Sequence, residues 1–116
     1  MIKRNKNMSE TVKVNMRGGD GRVIIREVLD KGEYKGASRL VAEIVIEPGC
    51  SIGSHMHENE EEIFYILEGT ATYEDNGKTE ILHKGDSCVC LAGQKHSIAN
   101  REEKELLRVF AVILTY

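Results

Sequence analysis

Apolar and polar residues alternate with a period of two along most of the chain, the spacing at which an extended backbone turns successive side chains to opposite faces. Residues 11–16 set Val12, Val14 and Met16 against Thr11, Lys13 and Asn15, which predicts a half-buried strand. A second strand is predicted over 23–29. Residues 40–46, LVAEIVI, are apolar except for Glu43 and predict a strand covered on both faces. Further strands are predicted around His55 and His57 and over 62–68, 71–74, 79–82, 87–91, from His96 onward, and over 106–116. Turn signals separate them: Pro48-Gly49, the hairpin pair Asn76-Gly77, the tetrapeptide from His83 to Asp86, and Ala92-Gly93-Gln94-Lys95. The run RGGDGR at 17–22 is followed by no helix-forming segment, so its glycines read as turn residues and not as a phosphate loop. Short strands about 8 to 12 residues apart with no convincing helix point to an all-β barrel or sandwich. Residues 1–10, polar and basic without periodicity, read as a flexible arm preceding a domain over 11–116; its Lys3, Arg4 and Lys6 can meet an acidic partner.

Composition narrows the function classes. A chain of 116 residues supports one core and not two. With 41% apolar residues, 30% charged residues and a net charge of -3, it has no electrostatic reason to bind nucleic acid. Few aromatic residues and no Trp also disfavour ligands held by ring stacking. No apolar stretch approaches the roughly 20 residues of a membrane helix, and the charged first residues precede no apolar segment, so a cytoplasmic location is expected. Cys50, Cys88 and Cys90 match no zinc ribbon or redox pair and read as free thiols, with Cys88 and Cys90 on one strand face as small core residues.

The chemistry concentrates in residues 49–69, GCSIGSHMHENEEEIFYILEG. In an extended chain His55 and His57 project to one side and Met56 to the other. Glu62 opens the apolar run that follows. If that run folds back beside the histidine strand, one carboxylate oxygen joins two imidazole nitrogens, a donor set suited to a divalent first-row transition metal. Charge runs are usually solvated loops, and Glu60, Glu61 and Glu62 are neighbours. The alternation of Glu62 with Phe64 and Ile66 gives Glu62 an inward face; Glu61 is the alternative if the loop is one residue shorter. His83, in a turn beside Lys84, reads as an exposed histidine.

These residues resemble the two motifs of the cupin superfamily. The first, Gly, five residues, His-x-His, four residues, Glu, six residues, Gly, is met by Gly49, His55, His57, Glu62 and Gly69. The second, Gly, five residues, Pro-x-Gly, two residues, His, three residues, Asn, is met by Gly85, Gly93, His96 and Asn100, with Leu91 standing where the family has Pro. That departure removes a rigid turn constraint but no ligand. The resemblance implies a double-stranded β-helix, a jelly-roll barrel, holding one divalent ion (Mn, Fe, Ni, Co or Zn) on His55, His57, Glu62 and His96. It also implies a homodimer, with the strand near Val12 to Met16 a candidate for packing on the second copy.

Three imidazoles and one carboxylate leave a bound ion with net positive charge and, in an octahedral ion, about two open positions, which suits a small anionic chelating metabolite. The implied functions are a metalloenzyme of dioxygenase, isomerase, decarboxylase or lyase type or, alternatively, a metal-dependent binding or sensing module without turnover. No helix-turn-helix accompanies the barrel to make it a transcription factor, and Glu62 argues against a thiol dioxygenase, in which that carboxylate is replaced. Tyr65 and Arg108 are the further catalytic candidates, for proton transfer and anion binding. Tyr65, however, has the opposite parity to Glu62, and a charged residue on a closing strand commonly faces water.

Overall fold

A computed structural model describes all 116 residues and folds them into ten strands: β1 (Glu10–Val14), β2 (Arg22–Leu29), β3 (Ser38–Ile46), β4 (Ser51–Met56), β5 (Glu60–Glu68), β6 (Thr70–Asp75), β7 (Lys78–His83), β8 (Ser87–Cys90), β9 (Lys95–Ala99) and β10 (Leu107–Thr115). Two antiparallel sheets face each other, one ordered β1-β2-β3-β10-β5-β8 and the other β4-β9-β6-β7. This is the jelly-roll arrangement, with the strand periodicity of the sequence realised almost throughout. The only helical pieces are single 3-10 turns at Asn5–Asn7 and Met16–Gly18. No helix is long and apolar enough to cross a membrane.

The inward residues of both sheets make one core, with Val23, Ile46, Ile66, Ile98 and Leu107 almost wholly buried and Phe64 and Tyr73 packed among them. The Asn76-Gly77 turn between β6 and β7 has both central residues at positive φ, 50° and 93°, as a two-residue hairpin of this twist requires. Gly69 sits at φ 87° where a Cβ would collide with the carbonyl oxygen of Leu106. The chain can therefore pass from β5 to β6 under the loop before β10 only with glycine at this position.

The structure revises three expectations. Strand β1 is not half-buried: all five of its residues are exposed. Its register, Thr11 opposite Ile25 and Val12 opposite Ile24, puts Thr11 and Lys13 on the inner face and Val12 and Val14 on the outer one. The apolar set of an edge strand thus points away from the core. Strand β3 is likewise covered on one face only, with Ala42, Ile44 and Ile46 buried while Val41, Glu43 and Val45 stay half-buried on the outside. Finally, β4 and β5 do not pair; they belong to opposite sheets.

Asn100, wholly buried, explains its place in the second motif without reference to a metal. Its amide donates to the carbonyls of Ile46 (2.9 Å) and Glu105 (2.7 Å), and its side-chain oxygen accepts from the Glu102 amide at 3.0 Å. One side chain thereby joins the ends of three segments. Leu91 keeps the turn that the family's proline would hold: its amide donates to the Gln94 side chain, and the Gln94 amide donates back to the Leu91 carbonyl, both at 3.0 Å. In the N-terminal segment Lys3 reaches Asp30 and Glu33, each at 2.7 Å, which ties it to the loop after β2.

Candidate metal centre

Strand β4 delivers His55, and the bend beyond it delivers His57. His55 lies opposite His96 in the β4–β9 register, beyond a pairing irregularity that follows Ile52. Glu62 comes from the facing sheet, where it pairs with Ile113 of β10 and Cys90 of β8. The four side chains therefore meet across the space between the sheets. Their ligand atoms lie within 4.8 Å of one another, with His57, Glu62 and His96 buried and His55 nearly so.

Each imidazole has its outer nitrogen engaged, which decides what the inner one can offer. His55 Nδ1 lies 2.7 Å from the Gly53 carbonyl, and His57 Nδ1 2.7 Å from Glu60 Oε2. Both partners are acceptors, so in the neutral rings both protons sit on Nδ1 and both Nε2 lone pairs face the centre. His96 Nδ1 meets the Tyr73 hydroxyl at 2.9 Å, and Phe64 stacks on the same ring at 5.2 Å. Arg39 forks onto Glu60 with two contacts of 2.7 Å and holds that carboxyl down at about 2, with His57 adding to the effect. Burial would raise the Glu62 carboxyl, but the three imidazoles facing it outweigh burial and hold it below the ordinary carboxylate range. The same Glu62 raises His57, whereas burial lowers His96.

The spacing of the inner atoms tests what they fit. His57 Nε2 lies 3.0 Å from His96 Nε2, and His96 Nε2 lies 3.1 Å from His55 Nε2. Glu62 Oε1 is 3.1 Å from both His57 and His96 but 4.0 Å from His55. An octahedral ion about 2.1 Å from each donor places adjacent donors about 3.0 Å apart and opposite donors about 4.2 Å apart, whereas a tetrahedral one spaces all pairs at about 3.4 Å. Four of these contacts, at 3.0 to 3.1 Å, have the spacing of adjacent donors on a six-coordinate ion and are shorter than a tetrahedral set would give. A proton on one nitrogen satisfies a single neighbour; a divalent ion satisfies all four, and burying these acceptors with nothing positive between them is costly.

The family described as "Cupin domain" matches residues 42–113. The chain belongs to the cupin family. It is 41% identical over 100 residues to the oxalate-binding protein of Thermotoga maritima, covering 86% of this chain and 83% of that one. It superimposes with a TM-score of 0.93 and 38% identity on the crystal structure of a predicted oxalate decarboxylase from the same organism, covering 100% of both chains. It is also 33% identical over 79 residues to quercetin 2,3-dioxygenase of Escherichia coli K12, of which it spans 34%.

Within this cupin barrel the structure brings together His55, His57, Glu62 and His96. Tyr65 and Arg108 do not join them. Tyr65 lies between inward-facing Phe64 and Ile66, so its side chain stands on the outer sheet face, 44% exposed. Arg108 is on that same outer face, where it forks onto Glu43 (2.6 and 3.4 Å) and reaches Glu68 at 3.2 Å. Strand parity removes both from the cavity. Glu61, also outward, accepts from the Tyr116 hydroxyl, and His83 is exposed.

Sequence reasoning missed Glu60, Arg39 and Tyr73. Glu60 had a legible signal, since it shares the parity of Glu62; the other two are distant in sequence and carry none. A cavity of about 370 Å³ opens beside the centre. His55, His57 and Glu62 line it but His96 does not, so His96 backs the site.

Proposed function

We propose that this cupin holds one divalent transition-metal ion on His55, His57, Glu62 and His96 and acts there on a small anionic carboxylate, oxalate or a 2-oxo acid, as a metalloenzyme of decarboxylase, lyase, isomerase or dioxygenase type. The observation that carries the reading is the convergence of three imidazole nitrogens and one carboxylate oxygen beside a cavity of about 370 Å³ that His55, His57 and Glu62 line. Four protein donors on a six-coordinate ion would leave about two positions open, which suits a ligand that chelates through two oxygens. The names of the Thermotoga relatives support oxalate as the first molecule to try.

When bound, the ion supplies Lewis-acid polarisation of a carboxylate or carbonyl oxygen. The chain's own residues do the rest. Gly53 and Glu60 hold His55 and His57 with their lone pairs inward, and Tyr73 and Phe64 fix the ring of His96. Ile25, Leu40, Ile44, Ile52 and Ile113 supply the apolar part of the cavity wall. Glu27, the one lining carboxyl besides Glu62, is raised by burial and so retains a proton more readily than an ordinary carboxyl.

The test is formate release from oxalate, which with one proton yields formate and carbon dioxide, by manganese- or iron-loaded protein, together with turnover of a panel of 2-oxo acids. Activity lost in His57→Ala supports the enzyme. Saturable oxalate binding with no turnover in any metal form supports the second reading, a binding or sensing module. A protein that takes up no divalent ion refutes both.

We further propose that the chain forms a homodimer through the outer face of the six-stranded sheet. Val12 and Val14 of the edge strand β1 are exposed there, with no apolar cover from within the chain. Sedimentation of Val12→Glu as a monomer beside a dimeric wild type checks this; a monomeric wild type refutes it.

A further inference from the structure

Part of the cavity wall is cationic. Lys13 of β1 and Arg17 of the following 3-10 turn both line the cavity, and neither has a carboxylate partner in the molecule. Arg39 lines it too, but its guanidinium is committed to Glu60. Arg17 is also held where it is by its backbone. It adopts the left-handed conformation at φ 55°, uncommon for a residue with a side chain. Its carbonyl lies against Gly53, and Gly19 in turn lies against the Ser51 carbonyl, both so closely that a Cβ at either glycine would collide. The turn carrying Arg17 is thereby seated on β4, the strand that carries His55. The inward parity of β1, the reverse of what its apolar pattern suggests, is what turns Lys13 toward the cavity.

We infer that Lys13 and Arg17 form an anion subsite for a second carboxylate, so that the ligand class is a dicarboxylate with one end on the metal and the other on this cationic wall. The inference rests on the metal-anchored reading above. The lining contains one opposing charge besides the metal ligand, Glu27, whose raised affinity for a proton lessens its repulsion of an anion. Lys13 and Arg17 are both exposed to solvent and have no carboxylate partner in the chain, so both side chains are free for a second carboxylate. A dicarboxylate pairs them.

The experiment is calorimetric titration of the full-length manganese-loaded protein with 2-oxoglutarate and with 2-oxobutyrate, which share a chelating head and differ in the second carboxylate. Wild type should bind 2-oxoglutarate about tenfold or more tightly than 2-oxobutyrate, the scale of a charge-assisted contact. Lys13→Met and Arg17→Met should each remove most of that preference while leaving manganese affinity and 2-oxobutyrate binding unchanged, and Lys13→Arg should restore it. Equal binding of the two acids by wild type, or a preference that survives in both methionine variants, overturns the subsite and leaves the metal reading intact. Binding of manganese but of neither acid overturns the metal-anchored ligand reading, and the subsite falls with it.

Discussion

Glu60 is the residue whose replacement tests the construction of the centre most directly, because it touches no ligand of the metal except through His57. Its Oε2 accepts from both His57 Nδ1 and Arg39 Nη2, and its Oε1 from Arg39 Nε, all at 2.7 Å. Glu60→Ala removes the acceptor that keeps the His57 proton on Nδ1, so the ring is free to carry it on Nε2 and present a hydrogen to the centre. Loss of such an outer partner costs about 10- to 100-fold in metal affinity, or about 1.4 to 2.7 kcal/mol. Glu60→Gln is the graded control. Its amide can turn its oxygen to the shared position of Oε2 and its NH2 to Arg39 Nε, and the Arg39 side chain, 42% exposed, can turn to water. The hydrogen bond to His57 then survives without its charge, at about half its strength, and the loss should be about three- to tenfold. Isothermal titration of cobalt at pH 7.5 measures both affinities, and nitrogen chemical shifts of the imidazoles report the His57 tautomer. Wild-type affinity in Glu60→Ala, or a larger loss in Gln than in Ala, would refute the argument.

Gly69→Ala adds a methyl group at positive φ against the Leu106 carbonyl; strain and overpacking together should cost about 2 to 5 kcal/mol, lowering Tm by about 10 °C or more in a thermal melt. The contacts of Lys3 depress both Asp30 and Glu33, so their contribution to stability is present above the ordinary carboxylate range and is lost as pH falls through their lowered values. Urea midpoints of wild type and Lys3→Met should accordingly differ at pH 7 and converge in acid; a constant difference would show that the pairs do not couple to pH. Stripping the protein with a chelator should lower Tm, and returning metal at 100 times its Kd should recover about 2.7 kcal/mol, or about 10 °C. Coincident melts with and without metal would contradict the proposed centre.

Much of this architecture was legible because strand periodicity is a local property. The eight strands with predicted bounds lie within two residues of them, those expected around His55 and from His96 onward are present as β4 and β9, and the turns fall at the glycines and at Asn76-Gly77. What the sequence could not convey was which sheet each strand enters. His55 and Glu62 were expected on neighbouring strands, yet they meet across the barrel, and the true neighbour of the His55 strand carries His96. The alternation in β1 indicated two faces but not which faced inward, because an edge strand obeys its register with β2 and not its own apolar preference. Arg108 looked available for a ligand only because Glu43, its partner, is 65 residues away. Glu60 was hidden in an acidic run whose members differ solely in direction: Glu61 outward, Glu60 and Glu62 toward the histidines.

The convergence of donors from β4, β5 and β9 also bears on the order of events in folding. His55 and His96 are separated by 41 residues and Glu62 belongs to the opposite sheet, so no two-sheet fragment lacking β9 contains the full donor set. A metal ion therefore finds its complete set of donors only after most non-local pairings have formed, beyond the rate-limiting barrier of a slow, high-contact-order topology. A bound ion would act as a lock on the finished barrel and not as a nucleus for it. Its binding should leave the refolding rate nearly unchanged and appear almost entirely as slower unfolding, so that metal loading governs how long the native state survives more than how quickly it is reached.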